Sequence, residues 1–395
     1  MKVEERLELL ADLGRKIEEK RDAFVKALAE DLGQAMKVTN AEIDLTVEHL
    51  KTMEEDLPHL QDRQPYGIVG MVLPYDAPTV MFARWAGAAI LGGNRVRVSF
   101  SSQTPLTNRL MAELCQPYGD WVEVITDMDN REFGLKCVED PEVRVFFISG
   151  SGMVGRVYES AADLFDKVIY AGPGGMPPLL LFSGADVEKA AKFAAKRAFL
   201  NGGQYCTTIK RVLVNKGFAR TFAELFLEEI EKIKVGDPMD PDTDYGPIKV
   251  KRTRELFERA LNRILGPVVT GGPPKGEWIE PTIVIAKSIP DTEVFGPFVA
   301  IKVVGIDDAI VMDAASTRFP LIAYAFGKPP LGGKGRLEAT YGRIYWDPDF
   351  TYLKVREPFG GRRESGWVLE KKRYCLKRRG GALNFVQELT RPKEA

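Results

Sequence analysis

The sequence places one cysteine where it can do covalent chemistry. Asn201-Gly202-Gly203-Gln204-Tyr205-Cys206-Thr207-Thr208 sets a thiol shortly after a pair of glycines in a polar loop. A thiol so placed is accessible and gains thiolate character from backbone N–H groups, which nucleophilic catalysis requires. A buried structural thiol is the other reading of Cys206. Cys115, Cys137 and Cys375 lack this setting and read as core or incidental residues. A second arrangement, Gly150-Ser151-Gly152-Met153-Val154-Gly155, spells GxGxxG between a strand pattern at residues 143–148 and a helical run at 157–165. Glycines there let the backbone approach a pyrophosphate, and the helix N-terminus supplies oriented N–H groups. The acidic ribose ligand expected ~20 residues later is missing, because residues 167–171 run into glycine and proline. A strand-to-helix turn with no ligand is therefore the alternative.

Composition excludes several classes. With 395 residues, 55 Lys+Arg against 56 Asp+Glu and a formal net charge of −1, the chain has length for two domains and no basic field for nucleic acid. Apolar stretches are interrupted by charges, as Asp76 and Arg84 interrupt residues 71–90, so neither a membrane span nor a signal peptide is expected. The four cysteines are far apart and show no CxxC pairing, which argues against a metal site or disulfide framework and for a reducing cytoplasm. His49 and His59 are the only histidines, have no serine or cysteine motif nearby, and are expected on the surface.

The elements that must hold these loops alternate. Leu10, Leu13, Ile17, Phe24 and Leu28 predict one long amphipathic helix ending near Gly33, and a second helix follows at about residues 41–55. Residues 66–74 are a buried-strand pattern, and residues 78–90 a mostly apolar helix ended by Gly92-Gly93. Short strands at 95–99, 121–125 and 143–148, separated by helical segments, predict a parallel sheet covered on both faces. A proline and glycine cluster at 171–178 marks a domain junction, and a second α/β series follows it.

With these elements in order, the chain resembles the aldehyde dehydrogenase superfamily. Gly203-Gln204-Tyr205-Cys206 is similar to its GQxC nucleophile motif, Glu293-Val294-Phe295-Gly296-Pro297 to its E-[IV]-F-G-P segment, and Pro358-Phe359-Gly360-Gly361-Arg362 with Ser365-Gly366 to its PFGGxKxSG motif. Asn94-Arg95-Val96 and Thr104-Pro105 fit the GNxVxxKPSxxTP frame. The resemblance implies an α/β fold with a Rossmann-like cofactor domain at residues 1–172, a catalytic domain at 173–352, and a return to the cofactor domain with an oligomerisation segment at 353–395. It implies an active site in the cleft, NAD or NADP as cofactor, an aldehyde substrate, and a homo-oligomer. Leu73, Pro74, Tyr75, Ser149, Gly150, Ser151, Val154, Pro173, Gly174, Glu293 and Phe295 are the cofactor-binding positions it implies, with Glu293 on the nicotinamide ribose and Phe295 near the nicotinamide.

Departures from the family pattern fall at the site itself. Pro74-Tyr75-Asp76 puts an aspartate where the family has its oxyanion-hole asparagine, and a carboxylate donates to an oxyanion only when protonated. Gly172-Pro173-Gly174-Gly175 occupies the place of E-L-G-G, so no side chain is available at Gly172 to take a proton from water. Glu370, matching another family glutamate, or Asp76 is the stand-in, unless coenzyme A or another thiol takes the acyl group. Ser99-Phe100-Ser101-Ser102 replaces the adenosine-ribose KPSE, leaving NAD against NADP open, and Arg97, on the same strand face as Ser99, is a candidate ligand for a 2′-phosphate. Three readings follow: an aldehyde dehydrogenase with substituted ancillary groups, a coenzyme A-acylating or reductive variant, and a non-catalytic relative retaining the fold. Trp346, Phe350, Tyr352 and Trp367 read either as pocket lining or as core.

Overall fold

The computed structural model describes residues 1–150, 152–372 and 375–393. Its first sheet orders seven strands as Cys375–Arg379, Trp367–Lys372, Val168–Ala171, Val143–Ile148, Ile68–Val72, Arg95–Ser99 and Val122–Ile125. The last five pair in parallel. All five residues of Ile68–Val72 are buried, as a continuous apolar run requires when both faces of a strand are covered. From Ile68–Val72 the chain builds outward to Arg95–Ser99 and Val122–Ile125, then returns to Val143–Ile148 on the other side. The strand order therefore reverses between Ile68–Val72 and Val143–Ile148. Such a switch point opens a crevice at the carboxyl ends of the strands, and it sets Leu73 and Ser149 side by side, with Ser149 N–H donating to Val72 O at 3.0 Å.

The second sheet orders Arg343–Trp346, Ile322–Phe326, Pro178–Leu181, Arg211–Asn215, Phe298–Val304, Thr282–Ile285 and Val268–Thr270, parallel except for the last pair. Its contribution to the crevice comes from the segments entering its strands: Gly174-Gly175 before Pro178, Cys206 before Arg211, and Glu293 to Gly296 before Phe298. A small antiparallel pair, Arg63–Pro65 with Thr390–Pro392, joins the two ends of the chain.

Three expectations change. The opening helix is two, Val3–Glu19 and Arg21–Leu32, broken at Lys20 and ended by Gly33 in the left-handed conformation. His49 is buried on the inner face of helix Met36–Lys51 rather than at the surface, and burial beside Arg356 and Arg84 lowers its pKa to about 3, keeping it neutral. The helix expected at 157–165 is divided into Gly152–Gly155, a 3₁₀ turn Arg156–Tyr158, and Glu159–Leu164. Phe385 and Val386, in the segment expected to serve oligomerisation, belong to the main core.

Candidate active site

Cys206 lies on a turn whose ten residues, 201–210, are all buried. The turn is held by charged side chains rather than by sheet pairing. Lys210, fully buried, donates from Nζ to Gly203 O and, at 2.6 Å, to Gly296 O, tying the nucleophile turn to the Glu293–Gly296 turn. Arg197 donates to Thr207 Oγ1, to Tyr324 Oη at 2.8 Å and to Thr351 O at 3.0 Å. Asn201 Nδ2 reaches Gln34 Oε1 at 3.1 Å. The thiol is 7% exposed, so the accessible loop expected from sequence is in fact an enclosed one. It is reached from a cavity of about 60 Å³, lined among others by Glu42, Asp76, Arg84, Arg197, Tyr205 and Tyr352.

Carboxyls crowd this thiol. Asp76 is buried, and its own backbone N–H and that of Cys206 favour the charged form of its carboxyl. Burial first, with Glu293 and Glu42 adding like charge, raises its pKa well above the carboxylate range. Burial also pushes the Cys206 thiol up, reinforced by Asp76 and Glu293, while Arg84 and Arg197 pull the other way. Glu42 accepts from Tyr205 Oη–H and from Gln34 Nε2 at 3.1 Å, and burial raises its carboxyl to about 7.

The structure brings most of the implied cofactor residues to the crevice. Leu73, Pro74 and Tyr75 leave the strand Ile68–Val72, and the Tyr75 ring stands 6.3 Å from that of Phe295 with its hydroxyl 3.0 Å from Thr253 Oγ1. Ser149 Oγ is buried without a hydrogen-bond partner, as is Ser365 Oγ. Gly150 follows directly, Ser151 lies outside the described residues, and Val154 is exposed. A Cβ on Gly155 would stand 2.1 Å from Ala171 Cβ, so this glycine is required by close packing on the sheet. Gly174 N–H donates to Ser365 O at 3.0 Å, and Glu293 Oε1 accepts from Gly175 N–H at 2.6 Å.

Two implied residues are not brought there. Arg97 pairs in register with Gly70, deep within the strands, and its guanidinium is taken by Asp140 at 2.6 Å and Glu123 at 3.1 Å. Asp140 precedes Val143–Ile148, so Arg97 leans toward the amino ends of the strands, away from the crevice. Ser99, at the carboxyl end, accepts from Asn130 Nδ2 at 3.1 Å. Glu370 lies on a strand running antiparallel to Val168–Ala171, beyond Leu369 opposite Ile169, and so also toward the amino ends. It pairs with Lys372 at 3.0 Å and Arg379 at 3.7 Å and is not part of the lining at Cys206.

Position 172 is closed as well as bare. A Cβ on Gly172, whose φ is +123°, would stand 2.8 Å from Gly366 Cα and 2.9 Å from Ser365 O, both backbone. Pro173 follows it along the lining of a second, apolar cavity. Of the C-terminal aromatics, Tyr352 lines the thiol's cavity, Phe350 packs on Phe193, and Trp367 is core, donating to Gly152 O at 3.1 Å. Sequence reasoning passed over Glu42, Arg84, Arg197 and Lys210. For Arg84 a signal existed, a single charge inside an otherwise apolar helix.

Comparison with known proteins gives the family. The family model described as "Aldehyde dehydrogenase family" matches residues 1–378. A lactaldehyde dehydrogenase of Methanococcus maripaludis is 26% identical, covering 94% of this chain and 85% of that protein. A succinate-semialdehyde dehydrogenase [NADP(+)] of Schizosaccharomyces pombe is 29% identical over 80% of this chain and 66% of its own length. A solved structure, the glyceraldehyde-3-phosphate dehydrogenase GapN of Methanocaldococcus jannaschii complexed with NADP, superposes with a TM-score of 0.84 at 24% identity, covering 99% of this chain and 89% of that one. The chain belongs to the aldehyde dehydrogenase family and is an oxidoreductase acting on aldehydes.

Proposed function

We propose that the protein oxidises an aldehyde with NAD or NADP through covalent capture on Cys206. The observation that carries this reading is the placement of Cys206 at a buried cavity where the carboxyl ends of one sheet meet the segments entering the other. Ser149, Gly150, Tyr75, Glu293 and Phe295 are the residues that would hold the dinucleotide, which when bound supplies the hydride acceptor. The names of the NADP-linked relatives support the cofactor class. In capture, the Cys206 Sγ–H bond breaks with its proton released to solvent, Sγ bonds to the carbonyl carbon, and the C=O π pair moves to the oxygen, which takes the negative charge. Asp76 serves as the donor to that oxygen in its protonated form, which burial favours. Loss of hydride leaves a thioester on Cys206, and attack by a second nucleophile breaks the C–S bond. The reading extends to a reducing compartment and a homo-oligomer, for which the four free cysteines and the exposed apolar side chains of Val157, Leu164 and Phe165 are the support.

A second reading for release is favoured by the closure at Gly172: a thiol such as coenzyme A, not water, accepts the acyl group. Following reduced nicotinamide across an aldehyde panel with NAD or NADP, with and without coenzyme A, separates the two. Turnover without thiol supports hydrolysis, and turnover only with thiol selects the acylating reading. No turnover under any condition, matching a Cys206→Ala control, overturns both and leaves a non-catalytic relative.

A further inference from the structure

Release of an acyl group to water needs a base near Cys206. Gly172 is bare and closed by backbone, and Glu370 is ion-paired toward the amino ends of the strands. Glu42, by contrast, lines the cavity of Cys206. It is buried on the inner face of helix Met36–Lys51. Among the described residues no cation is ion-paired with it, and its hydrogen bonds come from neutral donors, Tyr205 Oη–H on Oε1 and Gln34 Nε2 on Oε2 at 3.1 Å. Gln34 Oε1 in turn accepts from Asn201 Nδ2 at 3.1 Å. Both arms run to the nucleophile turn, one to the residue before Cys206 and the other to the first residue of the turn. Glu42 is therefore held in a fixed relation to the thiol.

A carboxylate oxygen has two lone pairs, and each oxygen of Glu42 is given one donor, so each keeps a place for a water proton. The cavity, at about 60 Å³, has room for ordered water and polar walls to hold it. The other acid in the lining, Asp76, differs in its charge. Burial, with Glu293 and Glu42 adding like charge, favours its protonated form, whereas burial raises Glu42 only to about 7. Two carboxyls of one cavity whose titrations are pushed apart divide into an acid and a base. Tyr205 and Tyr352, which also face Glu42, are kept protonated by burial, and Arg84 and Arg197 complete the charged lining. We infer that Glu42 is the general base that activates water for release of the acyl group from Cys206. A water O–H bond breaks with its proton passing to the Glu42 carboxylate, and the water oxygen bonds to the thioester carbon. When the C–S bond then breaks, Glu42 returns that proton to Sγ. The product is a carboxylic acid, and the thiol and the carboxylate are restored.

The inference rests on the acyl group being carried by Cys206, and p-nitrophenyl acetate separates acylation from release without any dinucleotide. Sγ displaces p-nitrophenolate to form an acetyl thioester, which water then hydrolyses. Glu42→Gln should release a burst of p-nitrophenolate equal to the enzyme present and then turn over ~10²-fold more slowly than wild type, the size of general-base catalysis. Hydroxylamine, which attacks a thioester without help from a base, should restore most of that rate. Release by wild type should rise with pH through about 7 as Glu42 ionises, and the variant should lack that rise. Tyr205→Phe keeps the carboxyl and loses one tether, so its release should slow by less than ~10-fold, with circular dichroism confirming the fold of each variant. Release by Glu42→Gln at the wild-type rate, an equal loss in Tyr205→Phe, or no recovery with hydroxylamine overturns the inference and leaves capture at Cys206 standing. Turnover of wild type only with an added thiol does the same. No turnover of wild type above Cys206→Ala overturns capture and the inference together.

Discussion

The turn that carries Cys206 leads from a helix into a strand, the turn that spells GxGxxG leads from a strand into a helical segment, and the two are built by different means. Residues 201–210 are all buried and are fixed by Lys210, Arg197 and Asn201 acting on backbone and side-chain oxygens. Residues 152–155 form a single helical turn with Met153 and Val154 facing outward, 50% and 42% exposed. One turn is complete without a ligand. The other offers surface and an unpaired Ser149 hydroxyl that a ligand would complete. Cys206 is thus positioned in advance by the protein's own side chains, as the proposed covalent catalysis requires, and in the same proposal cofactor binding falls to backbone and apolar contacts.

The sharpest way to break this contrast is Lys210→Met. It removes one donor from Gly203 O, which keeps Gly296 N–H, and one from Gly296 O, which keeps Phe298 N–H, at a cost of about 1 to 3 kcal/mol offset in part by relief of the buried charge. Chemical denaturation reads that loss. Misplacement of the thiol should lower kcat ~10²-fold with a smaller change in the KM for cofactor, whereas an equal fall in every parameter would mark Lys210 as structural only.

Asp76→Asn tests the electrostatics of the same turn. Once Asp76 ionises it is a like charge that raises the Cys206 thiol, so above that titration its removal lowers the thiol pKa and enlarges the thiolate fraction. Alkylation of Cys206 by iodoacetamide should therefore become ~3- to 10-fold faster in the variant only on the alkaline side of the Asp76 titration. The wild-type rate of hydride release should fall as pH rises through the Asp76 titration, and the variant should lack that limb.

The smallest effect belongs to the cofactor sheet. Arg97→Ala removes partly exposed ion pairs to Glu123 and Asp140, worth about 0 to 1 kcal/mol, and should shift the NAD to NADP preference by less than ~2-fold. A large loss of NADP affinity alone would return Arg97 to the cofactor.

Much of this organisation is legible in the residues. Period and punctuation locate the strand Val143–Ile148 and the junction at 171–178, and the ordered motifs locate Cys206 and Glu293. Position along a strand is a different matter. Arg97 and Glu370 match family positions or a face alternation, but neither pattern says which end of the sheet a long side chain will lean toward. His49 reads as surface because its neighbours are charged, and only the packing of helix Met36–Lys51 shows which face is covered. Lys210 is invisible for a related reason: a buried cation announces itself by the carbonyls around it, and these come from segments distant in sequence.

The central claim is that the acyl group passes through the Cys206 thiol. Acid quenching of a reaction with aldehyde and dinucleotide, without any added acyl acceptor, followed by peptide mass spectrometry, tests it directly. The account predicts a mass increase equal to the acyl group on the peptide containing Cys206, formed in step with reduced nicotinamide and absent from Cys206→Ala. Reduced nicotinamide formed at the wild-type rate by Cys206→Ala, or an acyl adduct at Cys375 in place of Cys206, would contradict it.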